Sequence, residues 1–198
     1  MDNSSLHVNE QAAPIAGVAL ESLFTDYNKV MTALPKMSSK IQKDILLNLM
    51  YYPLVTKESL LSQETMQKWV DGFIEKLPSI PSEGLHFKGS LQFDELTSRY
   101  YPVIVHHIHG MDYSYILDSD FFDSADYGLL KSMNKKVCDL IEPGAFVRSG
   151  SKKFEVANFH EAYETLMKEG FSGVKIQRYK GLGEMSAEQL SDTTKKSI

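Results

Sequence analysis

The 198 residues hold a single cysteine, Cys138, so no internal disulfide can form and a multi-cysteine zinc site is excluded. No apolar run is long enough to cross a bilayer. The start, Met1-Asp-Asn-Ser-Ser5, lacks the basic-then-apolar layout of a signal peptide, so a cytoplasmic location with no membrane association is expected. Internal repeats and low-complexity tracts are missing, which sets aside collagen-like, fibrous and disordered classes. Excess basic charge is missing as well. A net charge of −5 and a pI near 5.7 argue against a free-standing, non-specific nucleic-acid binder. What is present is the composition of an ordinary globular chain, 42% hydrophobic and 24% charged. It is long enough for one cored domain, or one domain with an appendage.

The charge is unevenly spread. From Arg148 onward the balance is +2, and before it −7. A contact with a polyanion is therefore expected towards the C-terminal end, with the larger acidic part facing protein or solvent.

Apolar periodicity predicts a helix over 9–34, where Leu20, Leu23, Phe24, Tyr27, Val30 and Met31 share a face and Pro35 is expected to end it. A second helix is expected over 40–51, stopped by Pro53. Thr56 and Ser62 are candidate caps for two more, the second carrying Met66, Trp69, Val70 and Phe73 up to Leu77. These apolar stripes read as core. Pro78 to Gly84 is a Pro/Ser/Gly connection. Alternation then sets in at Leu85/Phe87, Leu91/Phe93, Tyr101/Val103/Val105 and 113–117, predicting an antiparallel meander with a turn at Gly110. A helix over 119–141 follows. A strand at 145–147, paired with 154–156, leads to a helix at Asn158, where Asn158 and Glu161 have capping-box spacing. The run 173–177 reads as a final strand. The fold class is α+β: N-terminal helices (9–77), central antiparallel strands (85–117) and a mixed helix-strand C-terminal part (119–172).

Two clusters suggest metal chemistry. Asp118-Ser-Asp120, with Asp112, Asp123 and Asp126 near in sequence, could hold Mg²⁺ at a strand end. An Asp just before a helix is more commonly its N-cap, and calcium-loop spacing fails at Phe122. His106, His107 and His109 could begin a zinc site, with His107 and His109 on one face of a strand and His106 on the other. Hydrogen-bonded or surface histidines are the commoner reading. Cys138 reads as a packed thiol in an apolar helical run.

The stretch Gln177-Arg-Tyr-Lys-Gly-Leu-Gly-Glu-Met185 differs in kind. A strand carrying Lys175 and Arg178 runs into a turn in which Gly181 and Gly183 can take positive φ and let backbone approach a partner. Ser186 and Gln189 have capping-box spacing for a helix start. Strand, glycine turn, Lys180 and helix N-terminus together suit a phosphate contact. A tight turn with solvated basic neighbours accounts for the same residues about as well.

This stretch resembles the motif near the end of the metal-binding, nuclease-like (TOPRIM) region of bacterial type IIA topoisomerase B subunits. Glu188-Gln-Leu190 and Thr193-Thr194 continue the likeness. Ser186-Ala187 stands where that family usually has Asn-Pro, and Lys195-Lys-Ser-Ile198 departs from its usual continuation. Leu6-His-Val-Asn9, Ala19-Leu20-Glu21, His109-Gly-Met-Asp-Tyr113 and Leu117-Asp118 are similar to a large insertion that interrupts the TOPRIM region in the gyrase B subunits of some bacteria. The resemblance implies an insertion domain over 1–172 and a TOPRIM/tail-side segment over 173–198. It implies a parent enzyme of two A and two B subunits that uses ATP and Mg²⁺ to cleave duplex DNA, pass a second segment and introduce negative supercoils. The family's Mg²⁺ carboxylates lie upstream of the insertion, and its nucleophilic tyrosine belongs to the gyrase A subunit. This stretch is accordingly expected to be non-catalytic, with no cofactor of its own. Lys175, Arg178, Lys180, Gly181 and Gly183 are its candidate DNA contacts. The rival reading is a module that docks on the A subunit or a regulator without touching DNA, marked by exposed apolar surface on the acidic part. A further rival is an independent metal hydrolase built on Asp112, Asp118 and Asp120 or on the histidines.

Overall fold

The computed structural model describes residues 4–80 and 84–171. It opens on two short strands, β1 (Ser4–His7) and β2 (Ile15–Ala16), before the long helix α1 (Gly17–Met37). The helix expected from Asn9 thus starts eight residues later. Asn9 folds a turn instead, its Oδ1 accepting the N–H groups of Gln11 and Ala12 at 2.9 and 2.6 Å. Nor does Pro35 end α1, since it lies inside the last turn. Leu34 and Met37, on either side of it, are both buried, and their packing outweighs the hydrogen bond that proline removes.

Helix α2 (Lys43–Leu49) is shorter than expected because Gln42 caps it, its side chain accepting from Asp44 and Ile45 N–H. Thr56 starts only a 3-10 turn (Ser59–Leu61), accepting from Ser59 N–H at 3.1 Å. Ser62 caps α3 (Gln63–Ile74) as its spacing predicts, through the Thr65 N–H at 3.2 Å.

The meander is borne out. Strands β3 (His86–Asp94), β4 (Arg99–Ile108) and β5 (Met111–Ile116) pair antiparallel in that order. His109 and Gly110, both at positive φ, make the two-residue turn between β4 and β5. On β4, Pro102, Ile104 and His106 are buried on one face, while the other has Tyr101 buried against Leu60 and Met66 and Val103 and Val105 half-buried. Helix α3 packs on β3 at Gly89, where a Cβ would overlap Val70 Cγ1 and fall 2.8 Å from Ile74 Cγ1.

The helix expected over 119–141 is two helices, α4 (Ser119–Phe122) and α5 (Ala125–Val137). Asp118 caps the first through Phe121 N–H at 3.1 Å, and Ser124 restarts the chain by capping the second through Tyr127 N–H at 3.0 Å. Cys138 follows the end of α5, half-buried, its thiol pKa pushed up by burial. Strands β6 (Phe146–Ser149) and β7 (Lys152–Glu155) form the expected hairpin, turned at Gly150 with φ +58°. In α6 (Phe159–Phe171), Asn158 Oδ1 accepts from Glu161 N–H at 2.9 Å, while the Glu161 carboxylate reaches back to Ala157 N–H at 2.8 Å.

Strand β1 completes a four-stranded sheet in the order β2-β1-β6-β7. Its inner face sets Leu6 opposite Val147, both fully buried. The core beneath is aromatic. Tyr27 of α1 packs edge-on against Phe159, and its hydroxyl lies 3.0 Å from both Tyr51 Oη and His160 Nδ1. Burial raises the pKa of both phenols, that of Tyr51 to about 12. Helices and antiparallel sheets around one core make the α+β class that the pattern predicts.

Candidate nucleic-acid interface

Because successive strand residues alternate faces, the residues adjacent to Leu6 and Val147 point outwards from the four-stranded sheet. Pairing places His7 opposite Phe146, Arg148 opposite both Ser5 and Lys153, and Glu155 opposite Phe146 on the far side. The outer face is therefore a small platform with Phe146 at its centre. The His7 ring stacks on Phe146 with centroids 4.2 Å apart, and Lys153 Nζ sits 4.2 Å above the same ring. Ser5 Oγ lies 3.2 Å from His7 Nε2. Partial burial, with Arg148 and Lys153 adding to it, lowers the His7 pKa and keeps the imidazole neutral at physiological pH.

Arg148 and Lys153 are exposed and directly opposite each other, an arrangement that costs stability between like charges. Neither has an ion-pair partner among the described residues. The contrast with Lys152 is informative. It points to the inner side and pairs with Glu169 of α6 at 2.9 Å. A phosphate between Arg148 and Lys153 would relieve the repulsion and gain two charge-assisted hydrogen bonds.

Lys175, Arg178, Lys180, Gly181 and Gly183, together with the strand expected over 173–177 and the capping pair Ser186/Gln189, lie outside the described residues. The platform's two cations, Arg148 and Lys153, belong to the same C-terminal, positively balanced stretch in which a polyanion contact is expected. Composition points to Arg148, Lys152 and Lys153 only as charges. His7 and Phe146 carry no signal, because their meeting depends on pairing across 139 positions.

The acidic and histidine clusters resolve differently. The Asp118 side chain is engaged as a helix cap, as expected for an Asp in that position. His107 Nδ1–H donates to Asp112 Oδ1 at 2.5 Å, and its ring lies 4.4 Å from that of His86. His106 points to the opposite, buried side and stacks on Phe87, while His109 belongs to the turn and not to the strand. Among the described residues no group of three or more His, Cys, Asp or Glu is placed to hold a metal ion, and no helix is long and apolar enough to cross a membrane.

Comparison with known proteins places the chain in a family. Residues 4–170 match the family described as DNA gyrase B subunit insert domain, and residues 171–197 match the one described as DNA gyrase B subunit, carboxyl terminus. Similar proteins include the B subunit of the type 2 topoisomerase of Aquifex aeolicus, 50% identical over 44 residues, which are 22% of this chain and 6% of that protein. The DNA gyrase B subunit of Caulobacter vibrioides is 32% identical over 85 residues, 43% of this chain and 11% of its own length. That of Rickettsia typhi is 46% identical over 43 residues, 22% of this chain and 5% of its own length. The chain thus matches only a small part of the length of these relatives.

Proposed function

This chain belongs to the DNA gyrase B subunit insert-domain family, and we propose that it is a non-catalytic part of an ATP-dependent type IIA topoisomerase that introduces negative supercoils. In that enzyme it buttresses bound DNA and couples it to the gyrase A subunit, within a cytoplasmic assembly of two A and two B subunits. In this reading ATP and Mg²⁺ are bound by other parts of the parent, as the family resemblance implies, and Asp118 serves as a helix cap.

The observation that carries the DNA side of this reading is the exposed Arg148/Lys153 pair on an aromatic-floored sheet face. Lys175, Arg178 and Lys180, with Gly181 and Gly183 for close backbone approach, extend the contact along the duplex. Two further features support an insertion. The first strand, β1, and the last described helix, α6, both pack on β6, so the beginning and end of the domain are neighbours. The two family matches also meet at residues 170 and 171.

The test is fluorescence anisotropy of labelled duplex DNA with the assembled A and B subunits. Arg148→Ala/Lys153→Ala and Arg178→Ala/Lys180→Ala should each weaken binding at every sequence and flatten the salt dependence by about one unit per lost phosphate contact. Unchanged affinity and slope in both variants would sink the DNA-contact reading.

A further inference from the structure

Along residues 111–130 the charge changes sign. They include Asp112, Asp118, Asp120, Asp123 and Asp126 and not one Lys or Arg. The same stretch contains β5, the outermost strand of the three-stranded sheet, with no strand beyond it among the described residues. Leu117 N–H donates to Pro102 O at 2.9 Å, which sets the alternation of the ladder. It turns the backbone groups of Met111, Tyr113 and Tyr115 towards β4 and those of Asp112, Ser114 and Ile116 away from it. A strand edge with free donors and acceptors is a template for another strand.

This edge also carries apolar side chains in the open. Met111 is 55% exposed, Tyr113 42% and Ile116 43%, unusual for large apolar groups on three nearby positions. Ile116 leads into a cleft floored by Met37, Ile41, Leu46 and Phe121. The cleft rim is formed by Asp118, Asp120 and Asp126, with Lys40 the one cation lining it among the described residues. Asp120 and Asp126 have no ion-pair partner among the described residues.

We infer that β5 and this cleft form a docking site for an extended, basic and apolar segment of a partner protein, which pairs along Asp112–Ile116 and seats an apolar side chain in the cleft. Charge decides the occupant. A second copy of the chain paired edge to edge would bring acidic rim against acidic rim, and nucleic acid would meet the same repulsion. A segment carrying both basic and apolar residues on the cleft-facing side satisfies all three features: its backbone completes the ladder, an apolar side chain fills the cleft and the basic ones beside it meet the carboxylates of the rim. The site goes beyond the DNA-side reading and does not depend on it.

The experiment measures the full chain against a fluorescein-labelled peptide of repeated Val-Val-Arg-Arg, which puts valine and arginine on each strand face, with a Val-Val-Glu-Glu peptide as control. The Val-Arg peptide should bind and the Val-Glu peptide should not. Ser114→Pro, which removes an outward N–H and leaves every carboxylate, should weaken binding about tenfold or more. Ile116→Lys should do the same by placing a cation at the cleft mouth, so a misfolded proline variant does not remove the test. Asp120→Asn/Asp126→Asn should weaken binding and flatten its salt dependence. Equal binding of the Val-Arg peptide by wild type, Ser114→Pro and Ile116→Lys would overturn the site, since only diffuse charge would then be at work. Self-association of the wild-type chain in sedimentation, lost in Ile116→Lys, would overturn it in favour of a second copy.

Discussion

Asn134 and His106 are buried polar side chains with opposite fates. Asn134 on α5 turns its amide to the chain leaving α2 and donates to the carbonyls of Leu49, Met50 and Tyr52 at 3.3, 3.1 and 2.8 Å. These carbonyls have no further helical turn to receive them, so one side chain satisfies a helix end from another helix. Asn134→Ala should therefore destabilise the fold by about 1–3 kcal/mol, read as a lower urea midpoint with an unchanged slope. His106 instead has a buried Nε2 with no hydrogen-bond partner among the described residues. Burial lowers its pKa below the usual 6.5, the His107 charge adds to this, and Asp44 opposes it. The folded protein prefers the neutral ring, the unfolded chain takes up a proton first, and stability is lost as pH falls below about 6.5. His7, lowered in the same direction, contributes the same slope. His106→Phe, which keeps the stack on Phe87, should leave stability at neutral pH unchanged or higher and reduce its fall towards about pH 5, measured by denaturation at a series of pH values.

At the scale of elements, local signals are legible in the sequence and distant ones are not. The hairpin turn at His109-Gly110, the Ser62 cap and the Asn158/Glu161 pair are each made within a few residues, so sequence spacing carries them. The break between α4 and α5 is hidden because Phe121, Phe122 and Tyr127 keep an apolar rhythm across it, while Ser124 inserts a cap that composition alone does not flag. Val103 and Val105 look like the inward face of β4 from their hydropathy, yet His106 lies on the buried side and they do not. Register with α3 decides this, and Gly89 is where it is fixed. Gly89→Ala would drive a methyl into the buried Val70 and the partly buried Ile74 of α3. The cost should be about 1–3 kcal/mol, with β3 the first strand to lose hydrogen-exchange protection.

On the scale of the whole molecule, the least legible feature is the one that closes the fold. Residues 4–7 have no strong strand signal, being two serines, a leucine and a histidine, and their partner begins at Phe146. Only the pairing makes Leu6 a core residue, and only the pairing creates the basic platform, since His7 comes from one end of the domain and Phe146 from the other. The DNA-side candidates at 175–183 are the reverse case, readable from their motif and lying outside the described residues. A strand so far from its partner in sequence closes a long loop, so its loss should be felt first in the sheet that it closes. Leu6→Ala leaves a cavity against Val147 and should cost about 2–5 kcal/mol. Thermal unfolding followed by far-ultraviolet circular dichroism would register the loss, and hydrogen exchange would locate it. Protection should fall first in β6, β7 and the adjoining face of α6, while the β3–β5 meander, which pairs only within itself, holds longer. Equal loss in both sheets would mean that the closing strand stabilises a single cooperative unit, and the edge strand β5 would then share the stability of the four-stranded sheet.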